Sequence, residues 1–270
     1  MPLVLKEEII FNKELVPGIF ELAFISEYVS QRAKPGQFVN IKCCDGLDTI
    51  LRRPLSICSV NRKNNTVIVA YRETGKGTRY LARKKAGDKL DLIGPLGNWF
   101  HVSDEYKSIA VVGGGIGVFP LLFLLQQNPC AFKGAYIGFE SNTCIVMEKE
   151  FLHCSDKIML ATNDGSKGFK GFVTDLLALN LLQEGSKGKI NGEKYDIIYA
   201  CGPMPMMKKV FELASKMGIK CQVSLEQRMG CGIGACLACA CKVKHDGDWH
   251  YKRVCKDGPV FWGEEVDFDG

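Results

Sequence analysis

The sequence predicts an all-β barrel followed by an α/β domain and then a small segment organised by a metal centre. Three observations carry this reading. Residues 1–100 hold short apolar runs separated by turn residues, and residues 101–222 alternate apolar strands with helical stretches. Residues 223–270 are rich in Gly and Cys and show little apolar periodicity. A chain of 270 residues has room for about two domains, or three if one is small. Its 46% hydrophobic and 24% charged residues exclude disorder, collagen-like repeats and coiled coil.

In the first part the runs are Leu3–Ile10, Gly18–Phe24, Gly36–Lys42, Arg53–Val60, Thr66–Arg72 and Asp88–Ile93. Pro17, Pro35-Gly36 and Gly94-Pro95 punctuate them, the spacing of a small antiparallel barrel. In the second part the strands are Ser108–Val112, Ala135–Phe139, Ile158–Ala161, Asp196–Ala200 and Cys221–Leu225. Helices are expected from Val118, Thr174 and Pro205, so the strands are joined by crossovers into a parallel sheet. After about residue 226 no apolar pattern suffices for a core, and such a segment needs another organiser.

The net charge of +5 is compatible with phosphate-bearing ligands and too weak and dispersed for nucleic acid. Lys6, Glu7 and Glu8 leave no apolar signal-peptide core at the start. The longest apolar run, Ile109–Leu125, contains four glycines and Pro120, short of the ~20 residues of a membrane span. It reads as a buried strand and helix around a Gly-rich turn, and the expectation is a cytoplasmic chain with no integral membrane association.

Thirteen cysteines without a secretory signal point to a reducing compartment, where thiols serve metal or redox chemistry. Cys43, Cys44, Cys58, Cys130, Cys144, Cys154 and Cys201 are scattered, and scattered free cysteines behave as small buried hydrophobes. Near the C-terminus, Cys231, Cys236 and Cys239 form C-x4-C-x2-C, with Cys255 following after fifteen residues. That is the plant-type [2Fe–2S] spacing. Three thiolates from one short loop must converge on a small inorganic core, and Gly230, Gly232 and Gly234 permit the dihedrals this needs. A structural zinc site is the competing reading, though it ordinarily shows two separated C-x2-C knuckles. Cys241 is expected not to be a ligand, because the spacing is complete without it.

Two anion-binding signals lie in the barrel. Arg53-Pro54-Leu55-Ser56 opens a strand; the arginine fork can hold a pyrophosphate, and Ser56 offers a hydroxyl and an N–H to a flavin ring. Gly75-Lys76-Gly77-Thr78 opens a helical stretch over Arg79–Lys85 with Thr78 as the expected N-cap, and glycines before a helix make an anion site. Together they suggest two clamps on one diphosphate. Gly94-Pro95-Leu96-Gly97 reads as a rigid turn closing the barrel.

Val111 to Pro120 follows an apolar strand and opens a helix, with Gly113, Gly115 and Gly117 at the turn. The strict G-x-G-x-x-G is not met, because Pro120 holds its last position, but proline suits a first helical turn and the helix can still face a phosphate. Asn163–Ser166 and Cys201-Gly202-Pro203 end two further strands. Ligands of open parallel sheets lie beyond such ends, so the three point to one nucleotide crevice. Glu140, ending the strand after the Gly-rich turn, favours a ribose hydroxyl and hence NAD over NADP.

In that order of parts the whole chain resembles the ferredoxin-reductase superfamily, and more narrowly the electron-transfer subunits of NAD-dependent (class 1B) dihydroorotate dehydrogenase. The residues that carry the resemblance are Arg53–Ser56, Gly77-Thr78, Gly113–Pro120, Cys201–Met207, Ser224-Leu225-Glu226 through Cys239, and the tail Val254–Phe261. The broader superfamily often has an aromatic where this chain has Leu55. The resemblance implies FAD at Arg53, Pro54, Leu55, Ser56, Ala70, Tyr71, Arg72, Gly77 and Thr78, and a [2Fe–2S] cluster on Cys231, Cys236, Cys239 and Cys255. It implies NAD at Gly113, Gly115, Gly117, Cys201 and Gly202, with Cys201 positioning the nicotinamide. It also implies an FMN-containing dihydroorotate dehydrogenase catalytic subunit as partner, two copies of each forming a heterotetramer that serves pyrimidine (UMP) biosynthesis. No residue of this chain is expected to be catalytic toward dihydroorotate. A (β/α)8 barrel for that chemistry needs about 250 residues, and the three parts already fill the chain. The alternative within the superfamily is a subunit exchanging electrons between NAD(P)H and ferredoxin or sulfide.

Overall fold

The computed structural model describes residues 3–44, 46–130, 132–182, 189–190, 193–245 and 247–269. The chain divides into two compact units. The first runs to Trp99 and takes in Glu226–Cys241 and Tyr251–Pro259, while the second comprises Phe100–Leu225, Lys242–His250 and the residues from Val260 onward.

In the first unit, β1 (Leu3–Val16), β2 (Ile19–Ile25), α1 (Glu27–Arg32), β3 (Phe38–Lys42), β4 (Arg53–Asn61), β5 (Thr66–Arg72), α2 (Lys76–Ala82) and β6 (Lys89–Leu96) follow one another. The six strands close into the expected antiparallel barrel, in the order β1-β2-β5-β4-β3-β6. Leu22, Phe24, Val39, Ile41, Ile57, Val67, Val69, Leu90 and Leu92 are buried in its core. The six-residue helix α1 is too short for sequence periodicity to reveal; Ser26 caps it, accepting from the Val29 N–H at 3.3 Å and donating to Glu7 Oε1 at 2.6 Å.

Helix α2 corrects one expectation. Its N-cap is Gly75, in extended conformation, and Thr78 is the third helical residue. The Thr78 hydroxyl reaches back to accept from the Thr74 and Gly75 N–H groups at 2.9 and 3.1 Å, satisfying donors that an entering turn leaves open. The far end of α2 is held by Asn12 of β1. Its Nδ2 donates to the carbonyls of Leu81 and Lys84 at 2.9 and 3.0 Å, and its Oδ1 accepts from the Tyr71 hydroxyl at 3.0 Å.

In the second unit, β7 (Ser108–Gly114) leads through a short 3-10 turn (Gly115–Gly117) into α3 (Val118–Gln127). Then come β8 (Phe132–Phe139), α4 (Glu148–Cys154), β9 (Lys157–Thr162), β10 (Phe169–Lys170), α5 (Val173–Leu182), β11 (Lys189–Ile190), β12 (Glu193–Lys194), β13 (Ile197–Cys201), α6 (Met204–Lys216) and β14 (Lys220–Ser224). Beyond the cysteine loop lie β15 (Ala240–His245), β16 (Asp248–Arg253) and β17 (Val260–Trp262). A seven-stranded sheet runs β10-β9-β8-β7-β13-β14-β17, parallel except for β17, which pairs antiparallel with β14. Helix α3 is buried at every position from Val118 to Leu125, which explains why its sequence is apolar all round. The β15–β16 pair and β17 were not legible as strands in the sequence.

Asn12→Ala is expected to lower stability by about 1–2 kcal/mol, because it orphans two carbonyls and a hydroxyl at once. The measurement is a urea midpoint at unchanged slope; an unshifted midpoint contradicts the role given to Asn12.

Candidate functional site

The cysteine loop between β14 and β15 is shaped by its glycines and by backbone N–H groups turned toward sulfur. Gly232 and Gly234 have φ of +72° and +85°, where a side chain is strained. A Cβ on Gly230 would stand 3.0 Å from Cys236 Sγ. The loop's N–H groups donate to thiol sulfurs: Ile233 and Ala235 to Cys231 at 3.4 and 3.2 Å, Cys231 to Cys236 at 3.3 Å, and Gly234 to Cys255 at 3.1 Å. Cys255 in turn donates its N–H to Cys239 Sγ at 3.4 Å.

These four cysteines stand as two pairs, the Cys231 N–H donating to Cys236 Sγ and the Cys255 N–H to Cys239 Sγ. Among the described residues no three His, Cys, Asp or Glu side chains gather where a single ion could be held. Four thiols in two pairs, with N–H donors directed at their sulfurs, fit a two-iron cluster. Burial opposes ionisation of Cys231, but the N–H groups of Ile233, Cys236 and Ala235 outweigh it and bring that thiol down to about 6. Cys255 goes the other way, pushed up to about 12 by burial and then by Cys239. Cys241 lies in β15, its thiol raised to about 11 by burial and by Cys239.

Three polar residues that the sequence reading passed over hold this loop in place. Arg253 donates from Nη1 to the Gly234 carbonyl at 2.9 Å and from Nε to Asp257 Oδ2 at 2.9 Å, clamping the loop onto the turn that carries Cys255. Hydrogen bonding to Arg253 holds the Asp257 carboxyl below the usual carboxylate range. Asn98 anchors the same turn to the barrel, its N–H on the Gly258 carbonyl at 2.6 Å and its Nδ2 on the Asp257 carbonyl at 2.9 Å. Asn40 of β3 donates from Nδ2 to the Cys231 carbonyl at 3.3 Å. A charged pair flanking Cys255 four residues apart was a readable signal; the two asparagines left none.

The two anion-binding signals of the barrel meet. A Cβ on Gly77 would lie 2.8 Å from Arg53 Nε, so the guanidinium rests against the first turn of α2, as two clamps on one diphosphate require. Arg53 Nη1 donates to the Leu51 carbonyl at 2.6 Å. Leu55 is buried and pairs with Val39, while Pro54 pairs with Asn40 and Ser56 with Phe38. Ala70 and Tyr71 are buried on β5 and Arg72 is exposed. The Tyr71 ring stacks on Phe20 at 5.5 Å and its hydroxyl is taken by Asn12.

In the α/β unit, β7 and β13 lie side by side with Gly113 opposite Cys201. Sequence order reverses there, β8 and β9 lying to one side and β14 to the other, the place where open parallel sheets bind nucleotides. A Cβ on Gly117 would fall on the Cys201 carbonyl, and Gly202 (φ +153°) packs beside the Gly114 backbone. Gly115 has φ of +55°. The residues expected around the nucleotide, Gly113, Gly115, Gly117, Cys201 and Gly202, are therefore adjacent. Pro120 sits in the first turn of α3, where it breaks no helical bond. Glu140 is exposed just past β8. Asp164 is bound within its own turn, its Oδ1 accepting from the Ser166 N–H and hydroxyl at 2.9 and 2.6 Å.

Comparison with known proteins adds the following. Residues 226–267 match the iron-sulfur cluster binding domain of dihydroorotate dehydrogenase B. The chain is 39% identical over 264 residues to the dihydroorotate dehydrogenase B (NAD+) electron transfer subunit of Caldanaerobacter subterraneus subsp. tengcongensis, covering 98% of each. It is 40% identical over 260 residues to the subunit of that name from Bacillus mycoides, covering 94% of each. Among solved structures, an NADH-dependent reduced ferredoxin-NADP oxidoreductase, described for flavin-based electron bifurcation, superposes with a TM-score of 0.83 at 33% identity, over 97% of this chain and 90% of that one. A ferredoxin NADP+ reductase from Neisseria gonorrhoeae with bound FAD and NADP shares the fold, with a TM-score of 0.64 at 18% identity over 83% and 94%.

Two outcomes follow from this geometry. Arg253→Ala is expected to reduce the iron retained per chain after desalting, with Asp257→Asn intermediate; full retention in both refutes the clamp. Gly117→Ala, whose added methyl meets a backbone carbonyl, is expected to weaken NADH binding about tenfold or more, read by titration; unchanged affinity contradicts the assigned crevice.

Proposed function

The chain belongs to the family of dihydroorotate dehydrogenase B (NAD+) electron transfer subunits, and we propose from that membership and from its geometry how its residues serve the transfer. It carries electrons taken from dihydroorotate on a partner subunit to NAD+, by way of a [2Fe–2S] cluster and FAD. The cluster is held by Cys231, Cys236, Cys239 and Cys255. When bound, the flavin couples a one-electron centre to a two-electron nicotinamide.

The observation that carries this reading is the seating of the thiol loop on β3, directly across from the Arg53–Ser56 run of β4. Cross-strand partners lie on one face of a sheet, so Asn40 and Phe38 share a face with Pro54 and Ser56. Gly232 packs on Asn40, and a Cβ on Gly97 would meet Phe38 and Pro259. The cluster segment thus lies on the face that presents Ser56. Arg53 and the Gly75–Thr78 turn hold the flavin diphosphate; Ser56 and the β5 backbone over Ala70–Arg72 meet its ring system. In the α/β unit, Gly113, Gly115 and Gly117 let the pyrophosphate of NAD approach the start of α3, and Cys201 with Gly202 positions the nicotinamide.

The partner is an FMN-containing catalytic subunit, and two copies of each make the working heterotetramer in the cytoplasm. No helix among the described residues is long and apolar enough to cross a membrane. Exposed Leu237 and Ile233 on the thiol loop supply the apolar contact through which the partner approaches the cluster.

The chain purified alone is expected to be coloured by flavin and iron–sulfur and to reduce ferricyanide with NADH, without oxidising dihydroorotate. Serine at any of the four cysteines is expected to abolish the cluster signal while sparing NADH–ferricyanide turnover. Leu237→Glu is expected to prevent co-purification with the catalytic subunit at unchanged iron content. A colourless chain, or one that passes electrons to ferredoxin and to no catalytic partner, overturns the reading.

A further inference from the structure

Asp91 of β6 and Arg52, the residue just before β4, form an ion pair that the flavin reading leaves without a task. Arg52 Nη2 lies 2.7 Å from Asp91 Oδ1, and Arg52 Nη1 donates to the Asp91 carbonyl at 3.1 Å. The strand order there is β4-β3-β6, so the Arg52 side chain reaches past the end of β3 to the strand beyond. Leu90 and Leu92 on either side of Asp91 are buried in the barrel core, which puts the carboxylate on the opposite, outer face. Its ladder neighbours are Lys6 of β1 and Lys42 of β3. Charge balance at Asp91 is therefore supplied three times over. What Arg52 adds is a tie between β6 and the turn that enters β4.

That turn has little apolar hold at its end, since Ile50 and Leu51 are 80% and 51% exposed. Its carbonyls nevertheless aim the next side chain. Arg53 Nη1 donates to the Leu51 carbonyl at 2.6 Å and to the Arg52 carbonyl at 3.3 Å. The same guanidinium turns its other edge to α2, where a Cβ on Gly77 would meet Nε at 2.8 Å and Nη2 at 3.1 Å. An arginine takes a phosphate with two parallel N–H groups of one such edge. The aim of that edge thus depends on two backbone carbonyls, and the place of those carbonyls depends on where Arg52 is tied.

We propose that Arg52 and Asp91 are positioning residues for the flavin diphosphate: their ion pair fixes the Leu51 and Arg52 carbonyls, which in turn hold the Arg53 guanidinium against the Gly75–Thr78 turn. Neither residue touches the cofactor, and both act through Arg53. This rests on the assignment of FAD to Arg53 and Gly75–Thr78 in the preceding section.

The test is a double-mutant cycle on the full chain, with the FAD dissociation constant read from flavin fluorescence released on dilution and iron per chain measured alongside. Arg53→Ala is expected to weaken FAD binding about thirtyfold or more, and Asp91→Asn and Arg52→Met about fivefold each. In the Arg53→Ala background Asp91→Asn is expected to add nothing, because a residue that acts through Arg53 has no effect once Arg53 is gone, whereas independent effects add. Iron per chain is expected to stay at the parent's value, since the thiol loop is held by Asn40, Asn98 and Arg253. Parental FAD affinity in Asp91→Asn, or its full loss repeated on top of Arg53→Ala, overturns the proposal. So does loss of iron together with FAD, which marks a disturbed barrel. Should Asp91→Asn fail to fold, Arg52→Met runs the same cycle, and failure of both reduces the pair to a stability element and overturns the proposal. A parent that binds no FAD, or an Arg53→Ala chain with parental affinity, defeats the flavin reading itself and this proposal with it.

Discussion

A segment with no core of its own has to be held by something else, and in the barrel unit that something is the outer face of β3. The thiol loop buries few apolar side chains: Ile233 and Leu237 point to solvent. Its order comes from N–H groups directed at sulfur and from three polar clamps, Asn40, Asn98 and Arg253. Each clamp ends on a backbone carbonyl, so each fixes the path of the chain rather than the identity of a neighbouring side chain. Hydrogen bonds of this kind contribute little individually against water, and their loss when buried costs more than their presence gains. That asymmetry favours a loop with one geometry over a loop with many.

The electrostatics of the loop follow from the same backbone. Burial raises a thiol, as at Cys43, Cys221 and Cys255, and on burial alone Cys231 belongs with them. Three converging N–H groups reverse the sign there, because they stabilise the thiolate, the form that ligates metal. The pair at Cys239 and Cys255 is more deeply buried, and a thiol gives up its proton when it ligates iron. The exposed half of the site is prepared for metal by its backbone; the buried half is prepared by its fourth ligand arriving from a separate turn.

What the sequence made legible sorts by the range of the physics. Short apolar runs and the turn residues between them located all six barrel strands, because each strand buries one face against a single core. Alternation of strand and helix gave the parallel sheet for the same reason. The cysteine spacing was readable since it encodes loop length directly. Thr78 was misplaced by three residues because a hydroxyl that caps from inside the helix and one that caps from its edge leave the same residue types in sequence. Helix α1 and strands β15 to β17 were missed: the first is a single capped turn, and the others pair within or onto surfaces that local pattern does not describe. Asn40 was invisible for a deeper reason. Its neighbours Val39 and Ile41 mark an ordinary strand, and only the register with β4 and the arrival of Gly232 from some 190 residues away give its amide a task.

The same logic explains why the glycine fingerprint of the α/β unit can depart from the usual form without losing its site. In the Gly113–Pro120 turn the constraint is not a count of glycines but two close approaches. Gly117 must admit the Cys201 carbonyl, and Gly113 must admit Val118 at the start of α3, where a Cβ would stand 2.8 Å from its side chain. Those positions have no substitute, since the obstacles are backbone or the buried side chain of a packed helix. The last position of the pattern faces only the first turn of α3, where the backbone N–H lacks an intrahelical partner anyway, so proline is tolerated there. A fingerprint reads best as a record of which atoms lie too near for a methyl group, and on that measure this turn keeps each contact that β13 imposes on it.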